Sequence, residues 1–465
     1  MDKVFGSVKN IHFVGIGGIG MSGIAEVLHN MGFTVSGSDL SEGGNVKRLQ
    51  NMGIDVRTGH RYEYAENADV VVYTSAVKET NPELVCAKDR FIPIIKRGEM
   101  LAELMRLKFS VAVAGSHGKT TTTSMVAEIL SEAKLDPTIV VGGILNTRDT
   151  NASLGKGNVI VAEADESDRS FLLMSPSVAL ITNIDYEHPD TYKDLEDVTQ
   201  TFIDFASRVP FYGSVVLCLE DMNTADIIPH IGRKFITYGF KAQADVHAVN
   251  IEQKGFGMHY DVVVKGQKMG KIKLGFPGEH NVLNSLGAIA IAQEFNIPFK
   301  SIKRALEKFK GVQRRLTARY DDGCCIVMDD YGHHPTEIKT TLRAVRGAYG
   351  DKKIIAVFQP HRYTRTQALI KDFAMAFFDV DMLFIADIYA ASEDKIEGVD
   401  SETLVREIKR RGFKNVNYIG SFEEVYDYLE DGGCDDTVII TLGAGSVTKF
   451  SFELASKVRE KREGK

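Results

Sequence analysis

The chain has 465 residues, of which 44% are hydrophobic and 26% are charged, as in an ordinary water-soluble globular protein. Its net charge of −7 argues against nucleic acid or an anionic membrane as the main partner. One hydrophobic core cannot serve a chain of this length, so we expect about three domains. The N-terminus lacks an apolar signal core and no run of about 18 uncharged apolar residues occurs, so we expect a cytoplasmic protein.

The cysteines agree with that expectation. They are odd in number and none forms a C-x-x-C pair, which disfavours a disulfide framework and a zinc site. We therefore expect five free thiols: Cys86, Cys218, Cys324, Cys325 and Cys434.

The first predicted unit opens with an apolar strand at residues 11–16 that runs into a glycine turn. Gly15, Gly17 and Gly20 form the G-x-G-x-x-G pattern of a Rossmann-type loop, and Asp39 follows a second predicted strand. The pattern indicates a phosphate at the N-terminus of the next helix, with Asp39 near the ligand. The alternative is a glycine turn without a ligand, and the glycines do not say which nucleotide binds.

A phosphate loop follows at residues 110–124, SVAVAGSHGKTTTTS. A predicted strand turns through Gly115 and Gly118 into a helix, so that backbone N–H groups can approach phosphate oxygens. Lys119 would supply charge to the outer phosphates, and the Thr120 hydroxyl can bind Mg²⁺. The loop lacks the first glycine of the standard P-loop. We predict a nucleoside triphosphate site, and the alternative is a glycine turn before an exposed helix.

Acidic residues follow the next strands. An apolar strand at residues 159–162 runs into EADESD, which on its own is more often a solvated loop. After a phosphate-loop unit it is where a metal-binding acid belongs, and Glu163 is the first acid past the strand. A further strand at residues 178–184 leads to His188, which is either a structural histidine or a second metal or phosphate ligand.

Residues 245–276 alternate apolar and polar side chains between glycines, which predicts antiparallel hairpins. His280, Asn281 and Asn284 then project from one helix end. Simple N-capping would account for one of these three residues but not for all of them. Arg315 ends this unit, where an arginine is either solvent-facing or a clamp for phosphate.

The last part of the chain reads as a further α/β unit in which polar residues follow the predicted parallel strands. The carboxyl ends of parallel strands are the usual place for ligands in such sheets. The candidates there are Tyr331, His333, His361, Arg362 and Arg365.

These segments together resemble the Mur ligase family. The resemblance runs nearly end to end, and although each piece is weak evidence, the ensemble is highly specific. It implies an α/β fold with three domains: Rossmann-like at 1–108, P-loop ATPase-type mixed α/β with an antiparallel portion at 109–315, and Rossmann-like α/β at 316–465. The matching segments are HFVGIGGIGMSGIAEVL, AGSHGKTTTT, EADESD, TNIDYEH, GEHNVLN, GVQRR, DDYGHHPTEI and QPHRYTRT.

The resemblance implies an activity in peptidoglycan precursor synthesis. ATP, with Mg²⁺, would activate the lactyl carboxylate of UDP-N-acetylmuramate as an acyl phosphate, and L-alanine would attack it through a tetrahedral intermediate. Both substrates would be the partners of a monomer or homodimer, without nucleic acid or membrane. Two alternatives stay open: a recycling ligase that joins the same UDP-sugar to a preformed murein peptide, and a nucleotide-binding dehydrogenase or nucleotide-sensing regulator.

The resemblance also implies roles for individual residues. Lys119, Glu163, His188, His333 and His361 would be catalytic, and a histidine with a near-neutral pKa would take the proton of the attacking amine. The metal would be held by Thr120, Glu163 and His188. The amino acid would be held by Tyr331, His333, His361, Arg362 and Arg365. The UDP-sugar would be held by Gly15, Ile16, Gly17, Gly18, Ile19, Gly20, Asp39 and Ser75. ATP would be held by Gly115, Ser116, His117, Gly118, Lys119, Thr120, Thr121, His280, Asn281, Asn284 and Arg315.

Overall fold

The computed structural model describes residues 4–74, 76–145, 150–391, 393–430 and 434–464. The strands in these ranges form three sheets that follow one another along the chain. The predicted fold class, α/β with three successive units, is confirmed. Within the described ranges, no helix is long and apolar enough to cross a bilayer. All five cysteines are free, as predicted.

The first sheet is parallel throughout and has the order β3-β2-β1-β4-β5. The glycine loop leaves the carboxyl end of the central strand β1, and Asp39 is the last residue of the neighbouring β2. The elements are β1 (Asn10–Val14), α1 (Ile19–Asn30), β2 (Thr34–Asp39), α2 (Gly44–Asn51), β3 (Asp55–Thr58), a 3₁₀ turn (Tyr62–Ala65), β4 (Val70–Tyr73), α3 (Pro82–Asp89), β5 (Ile94–Lys96) and α4 (Arg97–Arg106).

The second sheet has ten strands in the order β15-β14-β13-β12-β11-β10-β6-β9-β7-β8. Its elements are β6 (Phe109–Ala114), α5 (Lys119–Glu132), β7 (Thr138–Leu145), β8 (Thr150–Ser153), β9 (Val159–Glu163), a 3₁₀ turn (Ser170–Leu173), β10 (Val178–Ile181), α6 (Leu195–Ser207), β11 (Ser214–Cys218), α7 (Met222–Asp226), a 3₁₀ turn (Ile228–His230), β12 (Lys234–Gly239), β13 (Val246–Lys254), β14 (Gly257–Val264), β15 (Gln267–Leu274), α8 (Glu279–Glu294) and α9 (Phe299–Lys308).

The pairing of this sheet explains where the phosphate loop lies. Strand β6 runs parallel to β9 on one side and to β10 on the other, so their carboxyl ends meet at one edge. Helix α5 covers β6 with an apolar face in which Met125 and Ile129 are buried. Strands β13, β14 and β15 form an antiparallel meander, which confirms the predicted hairpins.

The third sheet has the order β16-β17-β21-β18-β19-β20, with only the edge strand β16 antiparallel to its neighbour. Strands β17 and β18 lead into the two histidine-containing segments. The elements are β16 (Thr317–Asp321), β17 (Cys325–Asp330), α10 (Pro335–Tyr349), β18 (Lys353–Phe358), α11 (Tyr363–Ala368), α12 (Ile370–Phe373), β19 (Met382–Ile385), α13 (Ser401–Arg410), β20 (Val416–Tyr418), α14 (Glu423–Glu430), β21 (Thr437–Leu442) and α15 (Val447–Glu463).

Candidate active site

The predicted phosphate loop joins β6 to α5 and bends at two glycines with left-handed backbone. Gly115 has φ 126° and Gly118 has φ 81°. A Cβ at Gly115 would stand 2.0 Å from Thr182 Oγ1, so no side chain fits there. The Ser116 hydroxyl donates to Asp185 O at 3.1 Å and ties the loop to the segment after β10. The loop thus has the strand–turn–helix geometry of a phosphate site.

Lys119 is held inside this loop. Its Nζ donates to Gly115 O at 2.6 Å, to Ser116 O at 2.9 Å and to Glu166 Oε1 at 2.9 Å. Burial alone would lower the pKa of Lys119, but nearby carboxylates, led by Glu166, raise it above its ordinary value. The ammonium is therefore charged at neutral pH, and a phosphate at the loop would compete with Glu166 for it.

Glu163 and Thr120 meet beside the loop. Thr120 Oγ1 donates to Glu163 Oε1 at 3.1 Å, and the Gly142 N–H donates to Glu163 Oε2 at 2.8 Å. Burial raises the pKa of Glu163, although Lys119 acts in the opposite direction. A hydroxyl and a carboxylate are hard oxygen ligands, and a cation here would relieve the desolvated carboxylate, so the pair fits Mg²⁺.

His188 belongs to a second cluster of possible ligands, whose other members are Glu166 and Glu187. His188 Nε2 lies 3.7 Å from Glu166 Oε1 and 3.9 Å from Glu187 Oε2. The two carboxylates were missed as individual candidates in the sequence. Both stand in segments that carry the family resemblance, but only the fold brings residues 166 and 187 together.

His117 lies between two carboxylates from different parts of the chain. Its Nε2 is 2.9 Å from Asp185 Oδ2, and its Nδ1 is 3.7 Å from Glu337 Oε1. Burial alone would lower the pKa of His117, but the interactions with Asp185 and Glu337 raise it to about 10. Thr336 Oγ1 also donates to Asp185 Oδ2 at 2.9 Å. The start of α10 is therefore docked on the phosphate loop.

A cavity of about 430 Å³ opens where the second and third sheets face each other. Aromatic residues Tyr238, Phe276 and Phe309 line it, and sequence reasoning missed all three. Such a cavity, apolar with a few convergent polar groups, suits a planar base and its sugar. Seven of the predicted ATP-site residues line it: His117, Gly118, Thr121, His280, Asn281, Asn284 and Arg315.

The polar residues at the start of α8 bond largely to the protein itself. Asn281 Nδ2 donates to Pro277 O at 2.8 Å, and Thr122 Oγ1 donates to Asn284 Oδ1 at 3.2 Å. Helix α8 has no side-chain cap, so N-capping does not explain the polar trio. Burial, with the Arg315 charge, lowers the pKa of His280 to about 4, and its Nδ1 has no protein partner among the described residues.

The candidate histidines of the third sheet lie together. The His333 and His361 rings meet edge to face at 5.7 Å, and His361 stacks on Tyr389 at 5.7 Å. Burial lowers the pKa of His333 to about 4 and that of His361 to about 3. The expectation of a histidine with a near-neutral pKa is wrong here, because both rings are buried beside the Arg365 guanidinium.

The two candidate arginines reach towards the second sheet. Arg365 is buried, with Nη2 3.8 Å from Glu187 Oε1. Arg362 Nη1 lies 3.5 Å from Asp190 Oδ2, and the residue has φ 71°. Tyr331 contacts a different arginine: the Arg314 guanidinium carbon lies 4.6 Å from the centroid of the Tyr331 ring. Arg365 thus joins the third sheet to the carboxylate cluster around His188.

Asp39 closes the glycine loop of the first sheet. Its Oδ2 accepts a hydrogen bond from the Gly17 N–H at 2.9 Å, and a Cβ at Gly17 would come as close to the same oxygen. The Gly15 and Ile16 N–H groups donate to Ser38 O. A ribose hydroxyl bound here would donate to the Asp39 carboxylate, which also accepts from the Gly17 N–H. Of the remaining predicted UDP-sugar residues, Gly18, Ile19 and Gly20 lie at the start of α1, and Ser75 lies outside the described residues.

Arg97 is a further residue at this loop that sequence reasoning missed. A Cβ on Gly20 would stand 3.2 Å from its guanidinium. Its Nη2 lies 3.1 Å from Asp165 Oδ2, two residues after Glu163. Arg97 therefore connects the glycine loop to the acidic segment beside the phosphate loop.

Three Mur ligase domains match consecutive parts of the chain. They are "Mur ligase family, catalytic domain" at residues 10–109, "Mur ligase middle domain" at 113–292 and "Mur ligase, glutamate ligase domain" at 314–445. The chain belongs to the Mur ligase family. For this Mur ligase, the dehydrogenase class that the glycine loop alone left open is not favoured.

Relatives are similar to this Mur ligase over nearly its whole length. The UDP-N-acetylmuramate–L-alanine ligase of Geotalea daltonii is 50% identical over 98% of this chain and 100% of its own length. The solved UDP-N-acetylmuramate-alanine ligase of Thermotoga maritima has a TM-score of 0.83 at 30% identity, covering 98% of this chain and 100% of its own. A murein peptide ligase of Psychrobacter arcticus has a TM-score of 0.71 at 23% identity, covering 96% and 98%, which shows a common fold alone.

Proposed function

We propose that this Mur ligase joins L-alanine to the lactyl carboxylate of UDP-N-acetylmuramate and consumes ATP. One observation carries the proposal: Lys119 from the phosphate loop and Arg365 from the third sheet reach the same carboxylate cluster, at Glu166 and Glu187 respectively. A phosphate held by the first and an amino acid held by the second would therefore meet. The relatives named above support the choice of substrates.

The proposed reaction has two steps. The lactyl carboxylate attacks the γ-phosphorus of ATP, ADP leaves, and an acyl phosphate forms. The amine of L-alanine then attacks the acyl carbon, and phosphate leaves the tetrahedral intermediate. Lys119 would stabilise negative charge on the phosphate oxygens during the transfer. The docking of α10 on the phosphate loop would keep water away from the acyl phosphate.

We propose Mg²⁺ as the metal. Thr120 and Glu163 would hold one ion, and Glu166, Glu187 and His188 would hold a second. Bound Mg²⁺ supplies charge neutralisation at phosphate oxygens. This assignment adds two carboxylates to the predicted set, because Glu166 and Glu187 each bring a ligand atom close to that of His188.

The amino acid would bind where the third sheet faces the carboxylate cluster. Arg365 offers a planar fork for the substrate carboxylate, with Arg362 nearby. His333 and His361 are neutral at pH 7, so either can accept the proton of the ammonium. Because their pKa values are low, the accepted proton would soon pass on to solvent. Tyr331 would contribute indirectly, by holding the Arg314 guanidinium in place over its ring.

The first sheet would hold the UDP end of the sugar nucleotide. Its diphosphate would lie at the N-terminus of α1, with Asp39 near the ribose and Arg97 beside the diphosphate. We keep Ser75 in this set as a prediction. The domain limits 1–108, 109–315 and 316–465, the cytoplasmic location and the monomer or homodimer state also remain predictions.

Phosphate release in the presence of UDP-N-acetylmuramate and ATP tests the proposal. Each of the twenty amino acids is added in turn, and an L-alanyl murein tripeptide is added in a parallel series. We expect release with L-alanine far above that with the tripeptide. Preference for the tripeptide would assign the chain to the recycling reaction instead, and no release with any amine would reject the ligase activity.

A further inference from the structure

Three ligand-type side chains outside the proposed Mg²⁺ sites converge where the second and third sheets meet. His117, Asp185 and His334 each offer one donor atom, and these atoms all lie within 4.8 Å of one another. His117 and Asp185 come from the central sheet's loops, whereas His334 precedes α10. We propose that these three residues form a transition-metal site, of the Zn²⁺ type, which clamps α10 onto the phosphate loop.

The distances between the donor atoms fit such an ion. His117 Nε2 is 2.9 Å from Asp185 Oδ2, and His334 Nδ1 is 3.7 Å from the same oxygen. Ligands bound to Zn²⁺ at about 2.0–2.1 Å in a tetrahedron stand about 3.4 Å apart, between these two values. Two imidazole nitrogens and one carboxylate oxygen are a common zinc donor set, with water left for the fourth position.

The hydrogen bonds of His334 point to a missing cation. Its Nδ1 accepts a long hydrogen bond from the Thr336 N–H at 3.4 Å, so this nitrogen carries the lone pair. The lone pair therefore lies near the Asp185 carboxylate, and two acceptors face each other at 3.7 Å. The ring is 3% exposed, and its Nε2 has no hydrogen-bond partner among the described residues. A metal ion between Nδ1 and the carboxylate would take this lone pair in place of the long Thr336 contact, while Nε2 would stay without a partner.

The outer partner of His117 supports the same site. Metal-binding histidines commonly present their second ring nitrogen to a carboxylate, which orients the ring and strengthens the ligand. His117 Nδ1 faces Glu337 Oε1 at 3.7 Å. On metal binding, the proton between His117 and Asp185 would pass to solvent. Soft or borderline ions favour this nitrogen-rich set, whereas Mg²⁺ favours the oxygen-rich sites described above.

The probe is Co²⁺, because tetrahedral Co²⁺ with nitrogen ligands absorbs visible light far more strongly than Co²⁺ in octahedral oxygen sites. Metal-stripped full-length protein is titrated in excess Mg²⁺, which fills the oxygen sites. We expect one strongly absorbing Co²⁺ per chain, displaced by Zn²⁺. This readout requires no ligase activity, so it is independent of the proposed function.

His334→Asn is the deciding variant, since asparagine is a good N-cap and preserves the start of α10 while removing the imidazole. We expect Co²⁺ affinity to fall by more than about tenfold, and Glu337→Gln to lower it by roughly 10- to 100-fold. His188→Asn, in the other cluster, is the matched control and should keep the band. If His334→Asn has a clearly lower melting temperature than the wild type, Asp185→Asn takes its place in the test. A missing band in the wild type, or an unchanged one in both ligand variants, would overturn the proposal.

Discussion

At the scale of single residues, Lys119 is the most firmly placed charge in the phosphate loop. Its ammonium has three acceptors, two of them carbonyls of the loop itself. A phosphate at the loop would compete with these acceptors, Glu166 among them, for the ammonium. The glycines that we propose for UDP follow β1 of the first sheet, so we expect mutation to separate the two proposed nucleotide sites.

We predict that Lys119→Ala lowers amide formation by at least roughly 100- to 1,000-fold, because one preorganised charge at the transferring phosphate is lost. Binding of UDP-N-acetylmuramate should stay nearly unchanged in calorimetric titration. Lys134→Ala, an exposed lysine just past the same helix, is the control and should retain activity. Loss of UDP-sugar binding in Lys119→Ala would mean that the ATP site and the UDP-sugar site have been assigned wrongly.

Glu163→Gln should raise the Mg²⁺ concentration needed for half-maximal activity by more than about tenfold. The isosteric amide can keep the hydrogen bond from Gly142 or Thr120, but it has no charge for the metal. Activity measured against Mg²⁺ concentration decides this point. Asp168→Asn, in the same acidic segment, should leave the curve unchanged. An unchanged curve for Glu163→Gln would make Glu163 a structural acid.

At the scale of elements, the start of α10 docks on the turn that begins α5. The contact unites His117 with Asp185 and Glu337, and Glu187 and His334 are the other titratable groups that face the ring. Because the pKa of His117 rises from 6.5 to about 10 on folding, its contribution to stability is full below pH 6.5. That contribution is lost as the pH rises towards 10.

We therefore predict that the stability advantage of the wild type over His117→Gln shrinks between pH 6.5 and about 10. Thermal unfolding of both proteins across this range measures it in metal-free buffer. His230→Gln removes an exposed histidine and is the control, whose difference from the wild type should not follow this course. A constant difference for His117→Gln would show that His117 is not charged by its carboxylate neighbours.

At the scale of the whole molecule, the proposed amino-acid site lies where the second and third sheets meet. Arg365 comes from α11 of the third sheet, and Glu187 comes from the segment after β10. Neither half offers the complete proposed site, so we expect the third unit to be docked on the central unit when the amide forms. The same docking would protect the acyl phosphate from water.

We predict that alaninamide is nearly inactive, because it lacks the carboxylate that Arg365 would hold. Glycine and L-serine should be poor but measurable substrates, since one methyl group is worth roughly 1–3 kcal/mol, or about 10- to 200-fold. Phosphate release with each amine measures this. Arg365→Lys should narrow the gap between L-alanine and alaninamide, as the planar fork is lost. Alaninamide within about tenfold of L-alanine would place the amino acid elsewhere.

The sequence by itself determined the three-unit α/β fold, the phosphate loop and the positions of the polar strand ends. These features are encoded in contiguous residues: glycines at left-handed φ, an apolar strand before them and a helix after them. Lys119 and Thr120 stand at fixed offsets from Gly118, so local chain geometry alone brings them together.

Only the tertiary structure decided which distant residues share a site. Phe276 and Phe309 line the cavity, Arg97 reaches Asp165, and Arg365 reaches Glu187, and none of these pairings follows from spacing. The same holds for protonation, since burial lowers the pKa of His361 to about 3, whereas carboxylate partners raise that of His117 to about 10. Desolvation and charge depend on neighbours from other sheets, which no local pattern specifies.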